Sequence, residues 1–150
     1  DGYTREGRHC TQLVRSMTAC GAVDAVGLNC VSAPGAMRAL VQQLGETELP
    51  LAVMPNAGYP VVTRTQVKYQ GKPEYFAKEL ARIAAEGVRI LGGCCGTTPA
   101  HIAALRAALE NCALATSSPK SSCRWKFMSS HITVLSALSA ASWRVMNVGA

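Results

Sequence analysis

The chain has 150 residues, 49% of them hydrophobic and 16% charged, with a formal net charge of +6. That length suits one domain with a core of its own, and the apolar content excludes a disordered chain. All nine acidic residues stand at or before Glu110, so Lys120, Arg124, Lys126 and Arg144 supply four of the six net charges; no basic stripe interleaved with aromatics points to nucleic acid. No run approaches the roughly 18 apolar residues that a membrane helix needs, and the first residues resemble neither a signal peptide nor a transit sequence. The chain opens on Asp1 rather than Met, as a processed or longer native chain would. Seven cysteines, an odd number with two adjacent, argue against a disulfide framework and for the reducing cytoplasm.

Strands and helices are expected to alternate. Residues 6–19 read as a helix with Leu13, Val14 and Met17 on one face, stopped at Cys20-Gly21. Residues 23–28 form a continuous apolar strand, of the kind buried on both faces in parallel sheets. A second helix spans 32–44, with Met37, Leu40, Val41 and Leu44 at helical spacing and Gly45 as its C-terminal stop. Residues 50–54 are a short strand. The turn-rich Asn56-Ala57-Gly58-Tyr59-Pro60 and an irregular segment to Gly71 follow. Pro73 opens a third helix, 73–86, with Phe76, Leu80 and Ile83 inward and Glu74 one turn from Lys78. Residues 88–91 make a third strand and 99–111 a fourth helix, with Ile102, Leu105 and Leu109 inward. Such repeated strand–helix units imply parallel strands. Two domains are assigned, 1–112 and a Ser-rich basic tail, 113–150, whose composition suits disorder apart from a short helix over 132–143.

The most informative stretch is Leu91-Gly92-Gly93-Cys94-Cys95-Gly96-Thr97-Thr98-Pro99. Neighbouring strand residues point to opposite faces, so two adjacent cysteines reach one metal only where the strand is breaking. The glycines allow that break. Thr97 or Thr98 then caps a helix with Pro99 at its first position. A pair of thiolates needs a further ligand, and the best candidate is Cys30, which ends the apolar run Ala25-Val26-Gly27-Leu28-Asn29. Three thiolates leave one position of a tetrahedral zinc open, the arrangement of catalytic rather than structural sites. A closed structural zinc or three unmetallated thiols are the alternatives. Cys10, Cys20, Cys112 and Cys123 have no partner at ligand spacing and read as incidental thiols, while His101, in the first turn of its helix, is expected to face a loop rather than a metal.

Gly-Leu-Asn-Cys, Pro-Asn-Ala-Gly and Gly-Gly-Cys-Cys-Gly-Thr-Thr-Pro, in this order, resemble the zinc-dependent homocysteine S-methyltransferase family. The resemblance covers about the first three-quarters of the chain and implies a (β/α)₈ barrel whose sites lie at the C-terminal ends of its strands. It implies Zn²⁺ on Cys30, Cys94 and Cys95, homocysteine as the methyl acceptor, and methionine as product. Asn56 is implied as a substrate-site residue near the metal, or as a turn residue bonding its own backbone. Asn29 is expected to hydrogen-bond locally. The Pro-Asn-Ala-Gly-Tyr-Pro stretch is similar to branches that take the methyl from methyltetrahydrofolate through cobalamin or a reductase partner.

Only the last three barrel strands are recognisable, whereas a full barrel takes about 250 residues. The first and third strands are therefore expected to lack a neighbour, leaving open edges for self-association. The competing reading is a noncatalytic zinc- or thiol-binding half-barrel, serving as a subunit or left as a gene remnant.

Overall fold

The computed structural model describes residues 2–4, 6–115, 126–129 and 145–148. Helix α1 covers Cys10–Ala19 and is followed by strand β1, Ala25–Asn29. The helix starts at Cys10 rather than at residue 6. Gly7, at φ 77°, belongs to a turn, and His9 takes the capping position with its ring nitrogen accepting from the Thr11 amide. Helix α2, Pro34–Leu44, places proline in its first turn and ends on Gly45, whose φ of 65° suits glycine. Strand β2 is Leu51–Met54.

The segment read as irregular contains a hairpin. Strand β3, Pro60–Val62, pairs antiparallel with β4, Val67–Tyr69. The signal was its β-branched and aromatic content, Val61, Val62, Val67 and Tyr69. It lacked the Asn-Gly or Asp-Gly turn that announces a hairpin; Thr63 and Gln66 close the turn instead, through backbone and hydroxyl bonds. Helix α3, Pro73–Ala85, carries Glu74 in its first turn and Arg82 in its last, matching the helix dipole at both ends. Strand β5 is Ile90–Gly93 and helix α4 is Pro99–Ala115.

Strands β1, β2 and β5 lie side by side and parallel, with Val26 opposite Leu51, Leu28 opposite Val53, and Val53 opposite Leu91. These apolar residues share one face of the sheet with α1 to α4. Val26, Leu28, Val53, Leu91, Met37, Phe76, Leu80, Ile83 and Leu105 form one core cluster there. The opposite face carries a small cluster of Ala25, Ala52 and Ile90. The expected alternation of parallel strands and helices therefore stands. Among the described residues the sheet is open, a mixed α/β arrangement compatible with part of a barrel.

The expected bare edges are not bare. Strand β6, Lys126–Ser129, pairs parallel with β5, and β7, Val145–Val148, pairs parallel with β1. The strand order is β6-β5-β2-β1-β7. Both added strands come from the Ser-rich stretch, whose lack of acids and scattered serines hid two short β-forming runs. The premise for self-association through the edges of β1 and β5 accordingly fails, because each already has a neighbour. The helix read over 132–143 lies outside the described residues.

Candidate metal centre

The C-terminal ends of β1, β2 and β5 converge on one spot. Cys30 follows β1 directly and adopts φ 61°, the one non-glycine residue among those described with a left-handed backbone. An L-residue there costs about 1–2 kcal/mol. Such strain persists only where the surroundings impose it, and it marks functional positions. Here the Cys30 amide donates to the Met54 carbonyl at 3.0 Å, holding the bend against β2. At the end of β5, the Cys94 amide donates to the Pro55 carbonyl at 2.8 Å, and the Cys94 carbonyl accepts from Thr97 at 3.1 Å. Thr97 packs so closely on Gly93 that a Cβ at residue 93 would overlap it. The glycine is required for that turn.

The three sulfurs expected from the sequence are brought together. Cys30 Sγ lies 3.5 Å from Cys95 Sγ, Cys94 Sγ lies 3.9 Å from Cys95 Sγ, and all three fall within 4.8 Å of one another. A tetrahedral zinc with Zn–S bonds of about 2.3 Å spaces its sulfurs about 3.8 Å apart, so the donor set and its spacing both fit that ion. No other group of three or more His, Cys, Asp or Glu side chains among the described residues could hold a metal. Cys10, Cys20, Cys30, Cys94 and Cys95 are free thiols.

Crowding three thiols separates their acidities. Burial, followed by the hydrogen bond and charge of Cys30 and then those of Cys95, pushes the Cys94 thiol up to about 12. Cys95 moves the other way: the Cys30 hydrogen bond holds its thiol below the ordinary range against the effect of burial, with help from Tyr69. Of these two thiols Cys95 is thus the first to give up its proton, and Cys94 resists losing its own. A divalent cation relieves that resistance, because metal ligation replaces the protons.

Asn56 sits at the centre of the site and is 8% exposed. Its Oδ1 accepts from the Cys95 amide at 3.2 Å and from Cys30 Sγ at 3.3 Å. Its own amide donates to the Ser32 carbonyl at 3.0 Å. Of the two readings open from sequence, the side chain does more than close its own turn: it ties the β1 and β5 cysteines to the loop after β2. Asn29 departs from expectation, since its buried Oδ1 has no hydrogen-bond partner; neither has the buried Thr97 Oγ1.

Tyr69 was not singled out from the sequence. It reaches the site from β4: its side chain lies where a Cβ on Gly96 would stand, and its hydroxyl hydrogen-bonds Cys95. That bond, chiefly, raises the Tyr69 hydroxyl above its usual range. The only hint in the sequence was an aromatic in a short β-forming run. His101 faces the loop as expected, and its imidazole bonds the Gly71 carbonyl.

A parallel α/β sheet with a three-cysteine cluster at its strand ends defines a mixed α/β domain with a candidate thiolate metal site. The chain belongs to the homocysteine S-methyltransferase family, a family of methyltransferases, whose description matches residues 1–109. It is 44% identical over 91 residues to a methionine synthase of Mycobacterium tuberculosis, which covers 59% of this chain and 8% of that protein. It is 42% identical over 92 residues to the methionine synthase of Mycobacterium leprae, covering 60% of this chain and 8% of that one. To the homocysteine S-methyltransferase of Escherichia coli it is 42% identical over 87 residues, covering 57% of this chain and 28% of that one. The chain thus spans less than a third of the length of these relatives. No described helix is long and apolar enough to cross a membrane.

Proposed function

We propose that this chain carries the metal-binding portion of a homocysteine S-methyltransferase, with Zn²⁺ held by Cys30, Cys94 and Cys95. The convergence of three sulfurs at tetrahedral spacing, one of them on a strained backbone, carries the reading. When bound, zinc supplies the charge that ionises a substrate thiol near neutral pH while leaving its sulfur nucleophilic. The chain's own residues do the remaining work. The three cysteines would take three of the four positions of a tetrahedral ion and leave one for the homocysteine sulfur. Asn56 Oδ1, which accepts from the Cys95 amide and from Cys30 Sγ, orients two of the three ligands. The methyl acceptor is homocysteine and the product methionine. The donor is methyltetrahydrofolate, acting through cobalamin or a reductase partner. The free thiols suit the cytoplasm.

The experiment is metal analysis of the whole 150-residue chain, followed by cobalt substitution. One equivalent of zinc, lost on chelation, and a cobalt spectrum that shifts with homocysteine but not with methionine are the expected results. Zinc binding without a response to homocysteine favours the noncatalytic half-barrel. Co-expression with the remaining barrel strands, assayed for methionine formation, then separates incompleteness from lost chemistry.

A further inference from the structure

His101 is 6% exposed, yet it touches none of the sulfurs and the metal reading leaves it without a task. Its surroundings give it one. The Thr98 amide donates to Nδ1 at 3.2 Å, which makes that nitrogen the acceptor and leaves the proton on Nε2. Nε2–H then donates to the Gly71 carbonyl at 2.8 Å, with the ring edge-on to Phe76 at 5.3 Å between centroids. From Gly71 the connections run back to the sulfurs. The Gly71 amide donates to the Ala57 carbonyl at 2.8 Å, and the Ala57 amide donates to the Cys95 carbonyl at 2.9 Å. The path closes on itself, since His101 stands only six residues after Cys95, in the first turn of the helix that follows it. The approach at Gly71 admits nothing larger than glycine, because an added Cβ would overlap the Ala57 carbonyl. Two residues before Gly71 is Tyr69, whose hydroxyl reaches Cys95.

We propose that His101 is a positioning residue of the metal centre: by clasping the Gly71 carbonyl it locks the β3–β4 hairpin and the loop of Asn56 and Ala57 onto the turn that carries Cys94 and Cys95. The inference rests on the metal reading above and adds to it a residue distant from the metal. Without the clasp, the Ala57–Cys95 bond frays and Tyr69 and Asn56 lose their fixed approach to Cys95. Outer partners of this kind typically contribute about 10–100-fold in metal affinity.

The test measures zinc affinity by competition with a chromophoric chelator, alongside amide exchange of the metal-free chain. His101→Ala is expected to weaken zinc binding about tenfold, at the low end of that range because it acts through backbone, and to deprotect the Ala57 and Gly71 amides. His101→Gln, whose amide donates to the same carbonyl, restores most of both. Phe76→Leu removes packing from the ring but keeps the clasp, so it lowers thermal stability while leaving affinity within about twofold. Should His101→Ala not fold, Gly71→Ala breaks the next link of the same path, where the added Cβ would overlap the Ala57 carbonyl, and is expected to show a comparable loss. Unchanged affinity in His101→Ala or Gly71→Ala, or an equal loss in Phe76→Leu, overturns the inference and leaves the metal reading standing. A wild-type chain that binds no zinc overturns both.

Discussion

Replacing Cys30 by glycine and by alanine separates its two burdens, the ligand and the strained backbone. Both substitutions remove the thiol, so both are expected to weaken zinc binding by more than the roughly 10–100-fold that an outer-shell partner contributes. They differ in the metal-free chain. At φ 61° alanine keeps the left-handed penalty of about 1–2 kcal/mol, which glycine escapes. Glycine's extra freedom in the unfolded chain returns about 0.5–1 kcal/mol of that difference. Cys30→Gly should therefore exceed Cys30→Ala in stability by about 0.5–1 kcal/mol, or about 1–4 °C in melting temperature for a chain of this size. Urea unfolding in the presence of a chelator measures it. An alanine variant as stable as the glycine variant would show that the bend at Cys30 carries no strain, and the case for a backbone held in place for the metal would lose its physical basis. Wild-type zinc affinity in either variant would remove Cys30 from the ligand set.

The thiols yield a second outcome: in the metal-free chain Cys95, the most readily ionised, is alkylated by iodoacetamide before Cys94, as peptide mass mapping over a time course would show. The Cys94 thiol also sets a pH dependence. Its native value of about 12 lies above the ordinary 9.0, so the folded chain keeps a proton between those limits that the unfolded chain loses. Stability from this group is whole below pH 9 and declines as pH rises toward 12, visible in chelator-treated melts; Cys94→Ala should flatten that slope, and an unchanged slope would refute the assignment. In the core, Leu28→Ala, at a fully buried position of β1, should cost about 2–5 kcal/mol; a cost below 1 kcal/mol would mean that the β1 face is not packed as described.

What the sequence disclosed followed from periodicity and from rare residue patterns. The apolar run ending at Leu28 and the helical spacing of Met37, Leu40 and Val41 located β1 and α2 nearly to the residue, because burial on one face dictates such spacing. The adjacent cysteines framed by glycines announced their role through chemistry rather than fold. What stayed hidden depends on contacts between segments distant in sequence. Tyr69 and His101 look like an ordinary strand aromatic and an ordinary helix histidine until the β3–β4 hairpin folds over Gly96. Nor could the left-handed turn at Cys30 be read locally, since nothing in Leu-Asn-Cys-Val favours it and the bond to Met54 imposes it. The partners of β1 and β5 were illegible for a related reason: short parallel strands are specified by what they lie against.

The sheet's outermost strands have a consequence for how this molecule tolerates change. β6 and β7 both lie past residue 109, where the family likeness stops, while every sulfur of the cluster directly follows an inner strand, β1 or β5. Border and chemistry are thus written in separate stretches of the chain. Charges or prolines introduced along either margin alter how the molecule meets its neighbours in solution, and they leave the distances among Cys30, Cys94 and Cys95 as they are.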